Sequence, residues 1–564
     1  MFSPLVLVLA VITAFCTVDA VPTLVPIDAS LPYTISGVHT GIKRQASHNW
    51  PARRNINDLI HDVPQWSLFV QAYNQLQRQN ESFFYSYYEV AGIHGSGKHF
   101  VPKLAPTISR SLRAAIAQDI VKTYPKSMQT KWQAAADQLR IPFWDWASNA
   151  TMPDIVSQPM VQITNSLGKV ETVSNPLYQY TFQNMPMDPN YFPADAGDGW
   201  LANYPQTMRG VSVKGGPSDP NLSNTYMSYY NFKSDTWYSL TRTAGLFNNF
   251  STTAFGGPSI EGVHNNVHAA VGAQYGHMSY LSYSAFDPIF WLHHANVDRM
   301  YAIWQALNPT SFLTPSKEPF GTFALAPGTL EDENTPLEPF ASTGQSPYYT
   351  SNSSRMTTIF GYTYPEIPDW NIPAAQLTAK VTSTIHKLYN PSNQFSKRSA
   401  GRTLTPGQAT KEWFVGVKVD KFDLQGERFS ISLFLGQVPQ DSQDWLSSPN
   451  NVGSFTIFPP PNPSGAPFPE VPAYSEHSLV EALSEKGQDQ EDVSAVMEYL
   501  KNNLHWRVQK FDGTAVPTNQ VPSLVVKVQS ELVTLGKDDT ELPTYSNITV
   551  VPEITKGKAG GFCG

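Results

Sequence analysis

Cysteine is almost absent from this chain of 564 residues, which has only Cys16 and Cys563. Cys16 lies in the apolar N-terminal segment that we expect to be removed, so the remaining chain has one thiol and no internal disulfide. Without disulfides, the fold must be stabilised by its hydrophobic core, by a bound metal or by glycans.

Charged residues are also scarce, at 15% of the chain against about 25% in an average protein. The net charge is −8, and we find no cluster of lysine and arginine. Because contacts to phosphate need such clusters, the sequence argues against a nucleic-acid partner. Hydrophobic residues make up 41% and aromatic residues 12%, which excludes a disordered chain.

Long hydrophobic runs are missing apart from Leu5 to Phe15, which is too short to cross a bilayer. The small residues that follow, up to Ala20, resemble a signal-peptidase site, although the start of the chain lacks Lys and Arg. We therefore expect residues 1–20 to be a signal peptide, the protein to be secreted, and no membrane partner. Six sequons are compatible with glycosylation: Asn80, Asn149, Asn221, Asn249, Asn352 and Asn547.

Helical periodicity dominates the sequence up to about residue 370, where apolar residues recur every three or four positions. Asp287-Pro288 is a typical start for a long helix that ends before Pro309. Residues 149–250 and 309–350 show little periodicity and are predicted to be loops. The other predicted helices are 55–60, 66–79, 108–121, 131–139 and 259–271.

The residue pattern changes beyond Trp370, where β-branched and aromatic residues alternate with polar ones. Strands are predicted over 378–388, 412–420, 428–436 and 524–535, with one helix over 491–504. We expect a helical domain over 21–370, a linker over 371–407 and a β-rich, sandwich-like domain over 408–564. Arg398 in the dibasic step Lys397-Arg398-Ser399 is a candidate site for an activating protease; an ordinary solvated charge pair is the alternative.

Five of the 13 histidines lie within 31 residues, at His264, His268, His277, His293 and His294. His264 and His268 are four apart on a predicted helix, so their imidazoles share one face. A third imidazole from the next helix would complete a metal site that suits copper or zinc. The alternative is a set of buried histidines satisfied by ordinary hydrogen bonds. A zinc protease of the His-Glu-x-x-His type is disfavoured, because Asn265 stands where the glutamate is needed.

Several strings closely resemble fungal tyrosinases, which are type 3 copper proteins. The string Phe286-Asp-Pro-Ile-Phe-Trp-Leu-His-His-Ala-Asn-Val-Asp-Arg299 resembles their second copper-site signature, and Glu261-Gly-Val-His-Asn-Asn-Val-His268 resembles the preceding helix. Pro142-Phe-Trp-Asp-Trp146, Gly92-Ile-His-Gly95 and Tyr362-Thr-Tyr364 resemble further family strings. The resemblance implies a mainly α protein, with a four-helix bundle that holds copper and a β-rich covering domain.

The resemblance also implies an activity and residue roles. The activity is oxidation of monophenols and o-diphenols to o-quinones by dioxygen, for melanin-type pigment or phenolic cross-linking. His264, His268 and His294 would hold the second copper, with His293 as a neighbour. Glu261 would position a water and Asn265 would assist deprotonation of the phenol; Glu261 also suits the positive end of its helix.

The first copper site departs from the family pattern. His94 matches its first ligand, but the Cys-x-His and Trp-His-Arg-Pro-Tyr segments that follow in the family are missing. His99 is a candidate substitute ligand or an ordinary loop histidine. Two explanations stay open: an error in the gene model, or a protein that truly has one metal site.

The departure matters because type 3 chemistry takes one electron from each of two coppers. The alternatives to a tyrosinase are therefore a catalytically impaired secreted protein with a single three-histidine site, and a haemocyanin-like oxygen carrier.

Structural roles and a covering aromatic are also implied by the family. Asp298 is expected to lie behind the ligands or to pair with an arginine, and Arg53 or Arg54 to pack on Tyr362 and Tyr364. In fungal relatives the C-terminal domain inserts an aromatic residue into the substrate pocket until a protease removes the domain. The candidates for this residue are Phe429, Phe434 and Phe455.

Overall fold

A computed structural model describes most of the chain. The described residues are 37–38, 50–83, 85–92, 94, 106–194, 196–243, 245–319, 321, 324–341, 348–368, 371–391, 407–459 and 468–564. The predicted signal peptide, His99 and Arg398 lie outside them. Within these ranges, no helix combines the length and the apolar character that a membrane crossing requires.

Helices surround the core of the N-terminal domain, and each of the six helices predicted there from the periodicity of the sequence is present. Side-chain caps mark several starts: Asp62 accepts a hydrogen bond from the Gln65 amide, and Ser259 from the Gly262 amide. The helices are α1 (Ile56–Leu59), α2 (Val63–Gln77), α3 (Tyr87–Gly92), α4 (Pro106–Lys122), α5 (Lys126–Gln138), α6 (Pro220–Met227), α7 (Phe232–Thr241), α8 (Phe247–Ser251), α9 (Ile260–Gly272), α10 (Ile289–Leu307) and α11 (Ala374–Tyr389).

The prediction of surface loops over 149–250 is wrong. This stretch contains a hairpin of β1 (Met160–Thr164) and β2 (Val170–Ser174) as well as α6, α7 and α8, and many of its side chains are buried. Buried Arg209 anchors it by binding Asp287 at the start of α10 and the carbonyls of Val156 and Leu177. Such anchoring by scattered polar groups leaves no periodic signal in the sequence.

The strand predicted over 378–388 is also wrong, because these residues belong to α11. Leu377, Val381, Ile385 and Tyr389 recur every four residues and are buried in the helical core. The β-branched residues between them produced a misleading strand signal. This helix occupies the first half of the stretch predicted as linker and packs beside α10.

The C-terminal domain consists of two antiparallel four-stranded sheets that share one hydrophobic core, as the sandwich prediction requires. The strands are β7 (Ala409–Asp420), β8 (Phe429–Leu435), β9 (Asn451–Ile457), β10 (Pro472–Ser478), β11 (Leu504–Lys510), β12 (Ala515–Val516), β13 (Val525–Thr534) and β14 (Thr544–Val550). The strand orders are β10-β7-β13-β14 and β12-β11-β8-β9. Two helices, α12 (Val480–Glu485) and α13 (Val493–Asn503), complete the C-terminal domain.

The loop predicted over 309–350 contains four short strands that form two antiparallel pairs. They are β3 (Ser316–Lys317), β4 (Leu330–Glu331), β5 (Pro336–Ala341) and β6 (Tyr348–Thr350).

A buried cluster of charges joins the two domains. Arg242, just after α7, binds Glu476 on β10 at 2.7 Å and Glu531 on β13 at 3.0 Å. Glu531 stands opposite Glu412 in the β13–β7 register, and the Tyr238 hydroxyl donates to Glu412 at 3.2 Å. Three glutamates thus face one arginine across the domain boundary.

Glu412 predicts a pH-dependent stability. Burial and the neighbouring Glu531 raise its pKa to about 7, although Tyr238 and Arg242 oppose the shift. An unfolded glutamate ionises near its ordinary pKa of about 4.3, so the folded protein loses stability as pH rises from there to about 7. E412Q removes this loss, and we expect it to gain of order 1–3 kcal/mol over the wild type at pH 8 but not at pH 4.5.

The measurement is unfolding by urea at both pH values, with exposed Glu427 substituted as E427Q for a control. If the free energy of unfolding changed equally with pH in E412Q and in the wild type, the expectation would be contradicted.

Candidate metal centre

Two helices bring the predicted ligands together. His264 and His268 lie one turn apart on α9, and His294 lies on α10. The Nε2 atom of His294 is 3.2 Å from Nε2 of His264 and 3.3 Å from Nε2 of His268. Three imidazole nitrogens therefore converge on one point.

Hydrogen bonds orient two of these rings. His268 Nδ1 lies 2.7 Å from the Met278 carbonyl oxygen, and His264 Nδ1 lies 2.9 Å from Oδ1 of Asn265. Because both partners are oxygen acceptors, we assign the proton of each ring to Nδ1, which leaves a lone pair on each Nε2. This is how proteins orient histidines that bind metals.

The surroundings keep the rings uncharged. Burial lowers the pKa of His268 and His294 well below the ordinary value, and neighbouring imidazoles lower it further. Burial also lowers the pKa of His264. Neutral imidazole is the form that binds metal ions. The cluster therefore does not need to lose protons before it binds a metal ion.

The spacing of the nitrogens fits one metal ion. Two nitrogens that each lie ~2.0–2.1 Å from a tetrahedral ion are about 3.3–3.4 Å apart. The observed 3.2 and 3.3 Å agree with that spacing. A donor set made only of imidazoles suits copper or zinc, the two metals expected from the sequence.

His293 lies within the histidine cluster and not merely beside it. One nitrogen from each of His264, His268, His293 and His294 lies within 4.8 Å of the others. The ring of His293 stacks on His264 at 4.9 Å and is fully buried, and neither of its nitrogens has a hydrogen-bond partner among the residues that the structure describes. The structure therefore gathers four imidazoles where the sequence predicted three.

His94 stands beside this cluster. Its ring is 4.8 Å from Phe290 and 5.8 Å from His294, and its Nδ1 lies 3.2 Å from the Leu281 carbonyl oxygen. Among the described residues, the four-histidine cluster is the one group of three or more potential ligands close enough to hold an ion. His277 is buried elsewhere, where its Nδ1 accepts a hydrogen bond from the Met208 amide.

Glu261 and Asn265 have separate partners. Glu261 accepts hydrogen bonds from Thr252 and Thr253 and forms an ion pair with Lys421 at 3.2 Å. Burial alone would raise the pKa of Glu261, but Lys421 and the two hydrogen bonds lower it to about 2. Asn265 is bonded to His264 and so orients a predicted ligand.

The aromatic residue that approaches the cluster from the C-terminal domain is Phe458, whose ring lies 6.4 Å from that of His268. Phe429, Phe434 and Phe455 are instead buried within their own domain, and the first and third belong to its core cluster. Phe458 follows directly after β9, which packs on α9 and accepts a hydrogen bond from Asn266 through the Ser454 carbonyl. This non-local packing left no signal in the sequence.

The predicted arginine–tyrosine arrangement is confirmed for Arg53. Its guanidinium lies over Tyr362 at 3.6 Å and binds Asp298 at 2.9 Å. The hydroxyls of Tyr362 and Tyr364 also donate to Asp298. Arg54 instead pairs with Asp62.

A pair of substitutions tests which histidine of the doublet binds metal. We expect H294A to weaken metal binding at the cluster by at least about tenfold, because it removes one of the three convergent nitrogens. H293A should retain the metal, since His294 already supplies the third nitrogen. Bound copper or zinc is measured by titration, with H505A on β11 as the control. Loss of metal in H293A but not in H294A would contradict the assignment.

Comparisons with known proteins agree with this structure. Residues 114–307 match the family model of the common central domain of tyrosinase, and residues 412–528 match that of the tyrosinase C-terminal domain. The chain is 30% identical to the tyrosinase of Podospora anserina, over 74% of this chain and 88% of the relative. It is 27% identical to the tyrosinase of Neurospora crassa, over 93% of this chain and 98% of the relative.

Among solved structures, that of recombinant mushroom tyrosinase superposes with a TM-score of 0.76. The match covers 92% of this chain and 98% of that one at 24% identity, so it supports the fold. With the family models and the Podospora relative, it leads to one conclusion: the chain belongs to the tyrosinase family.

Proposed function

We propose that the protein oxidises monophenols and o-diphenols to o-quinones with dioxygen, at copper held by His264, His268 and His294. The observation that carries the proposal is the convergence of three Nε2 lone pairs from α9 and α10. Membership of a family of copper oxidases supports it. Bound copper would supply the electrons for reduction of dioxygen.

The chain's own residues have three tasks in this proposal. The histidines hold and orient the metal as neutral ligands. Asn265 keeps the proton of His264 on Nδ1, so that Nε2 faces the metal. Glu261, three residues before His264 on α9, would orient a water that accepts the phenol proton.

A second copper is required for the full reaction, and His94 is the described residue that we propose as one of its ligands. His99, the other candidate, lies outside the described residues. Since one four-histidine cluster is found within the described ranges, a protein with a single metal and impaired catalysis stays the second candidate. A haemocyanin-like oxygen carrier is the third, and turnover of a catechol would exclude it.

We further propose that the protein is a secreted zymogen, and the contacts of the C-terminal domain with α9 support this proposal. Proteins of similar structure include latent and active mushroom tyrosinase and the pro-tyrosinase of Aspergillus oryzae. Cleavage after Arg398 would release the covering domain and raise phenol oxidation. Melanin-type pigment or cross-linked phenolics would be the products.

Counting copper tests the proposal directly. The full chain is reconstituted with copper and dialysed, and copper per chain is measured together with oxidation of a catechol. We expect two coppers and steady production of quinone. One copper without oxidation would favour the single-site candidate, and H264A serves as the control that removes the predicted site.

Phe458 offers a test of the cover. Replacing it with alanine removes the ring next to His268, so we expect F458A to lower KM for a catechol in the intact chain. F434L is the matched control, because Phe434 is buried within the same domain. An unchanged KM in F458A, with copper content equal to that of the wild type, would contradict a covering role.

A further inference from the structure

The C-terminal domain contacts Glu261 as well as the histidine cluster. Lys421 Nζ lies 3.2 Å from Oε1 of Glu261, and this lysine belongs to the turn that follows β7. Oε2 of the same carboxylate accepts hydrogen bonds from Thr252 Oγ1 and the Thr253 amide, both at 2.7 Å. A carboxylate offers about four acceptor positions, so three are filled by protein donors.

Lys421 is held in place by its own turn. Asp420 accepts hydrogen bonds from the amides of Phe422 at 2.7 Å and Val471 at 2.6 Å, and the Lys421 amide donates to the Val471 carbonyl at 2.9 Å. The side chain of Lys421 is 17% exposed and that of Glu261 is 27% exposed. The ammonium group is therefore presented by a fixed backbone.

A second connection runs through the main chain. The Tyr474 amide on β10 donates to the Thr253 carbonyl at 2.7 Å, and the Thr253 amide donates to Glu261. The loop between α8 and α9 thus lies between β10 and Glu261. One domain reaches both oxygens of the carboxylate, one directly and the other through Thr253.

We propose that Lys421 is a positioning residue, which restrains Glu261 in the intact chain and so limits its ability to orient a water. The proposal rests on the function proposed for Glu261. It adds an electrostatic restraint on the proton-accepting side of the site to the steric cover that Phe458 provides. Phe458 and Lys421 should affect different kinetic constants. The ring of Phe458 would affect substrate binding and so KM, while Lys421 would affect the chemical step and so kcat.

The test uses the full-length, copper-loaded chain and a monophenol. K421M keeps the length of the side chain and removes its charge. We expect kcat to rise about two- to fivefold, the range for loss of a partly exposed ion pair, with KM unchanged. K421R restores the charge and should return kcat to the wild-type value, and K421Q is a second neutral variant if K421M folds poorly.

K418M is the matched control, because Lys418 is an exposed lysine on β7, three residues before Lys421. A second readout needs no copper: amide hydrogen exchange over residues 252–258 should be faster in K421M than in the wild type and K418M, because Glu261 holds the Thr253 amide less firmly.

Two results separate the proposal from the function it rests on. Unchanged kcat and unchanged exchange in K421M would overturn the role of Lys421. Absence of phenol oxidation in the wild type, F458A and K421M alike would overturn the proposed function, and hydrogen exchange would then decide the restraint by itself.

Discussion

The placement of the C-terminal domain depends on Arg242. Its guanidinium is 5% exposed, binds Glu476 and Glu531, and lies 3.8 Å above the ring of Phe414. Removing the arginine would leave two buried carboxylates without a counter-charge, a defect that typically costs several kcal/mol. Phe414 itself belongs to the hydrophobic core of the helical domain. Charge and apolar packing therefore meet at one point of the domain boundary and orient the sheet that carries Lys421 and Tyr474.

From that point the domain reaches α9 at three places. Lys421 binds Glu261 near the start of the helix, Ser454 accepts a hydrogen bond from Asn266 in the middle, and Phe458 approaches His268 two residues further on. The helix that supplies two imidazoles thus also bears the contacts of the cover. If Glu261 has the role proposed above, a movement of the C-terminal domain would release this carboxylate and the substrate side of the histidines together.

The local parts of this site could be predicted from the sequence, and the non-local parts could not. The spacing of His264 and His268 fixes a shared helical face, and their helix and the one bearing His294 were predicted within a few residues. Phe458 was missed because its approach to His268 depends on how β9 packs on α9. The strand signal over 378–388 failed for a related reason, since burial of Leu377 and Val381 against the helical core outweighed the preference of β-branched residues.

The proposed copper chemistry likewise has two parts, metal binding at the histidine cluster and reduction of dioxygen, and they depend on different segments of the chain. The geometry at His264, His268 and His294 depends on α9, α10 and the Met278 carbonyl, and none of these belongs to the segment in which the family pattern is broken. We therefore expect metal binding at this cluster not to require that segment. The proposed reduction of dioxygen needs a second copper as well, and both candidate ligands for it, His94 and His99, come from that segment. A chain that binds one metal at the cluster but oxidises no phenol would thus show that α9 and α10 suffice to build this half of the site.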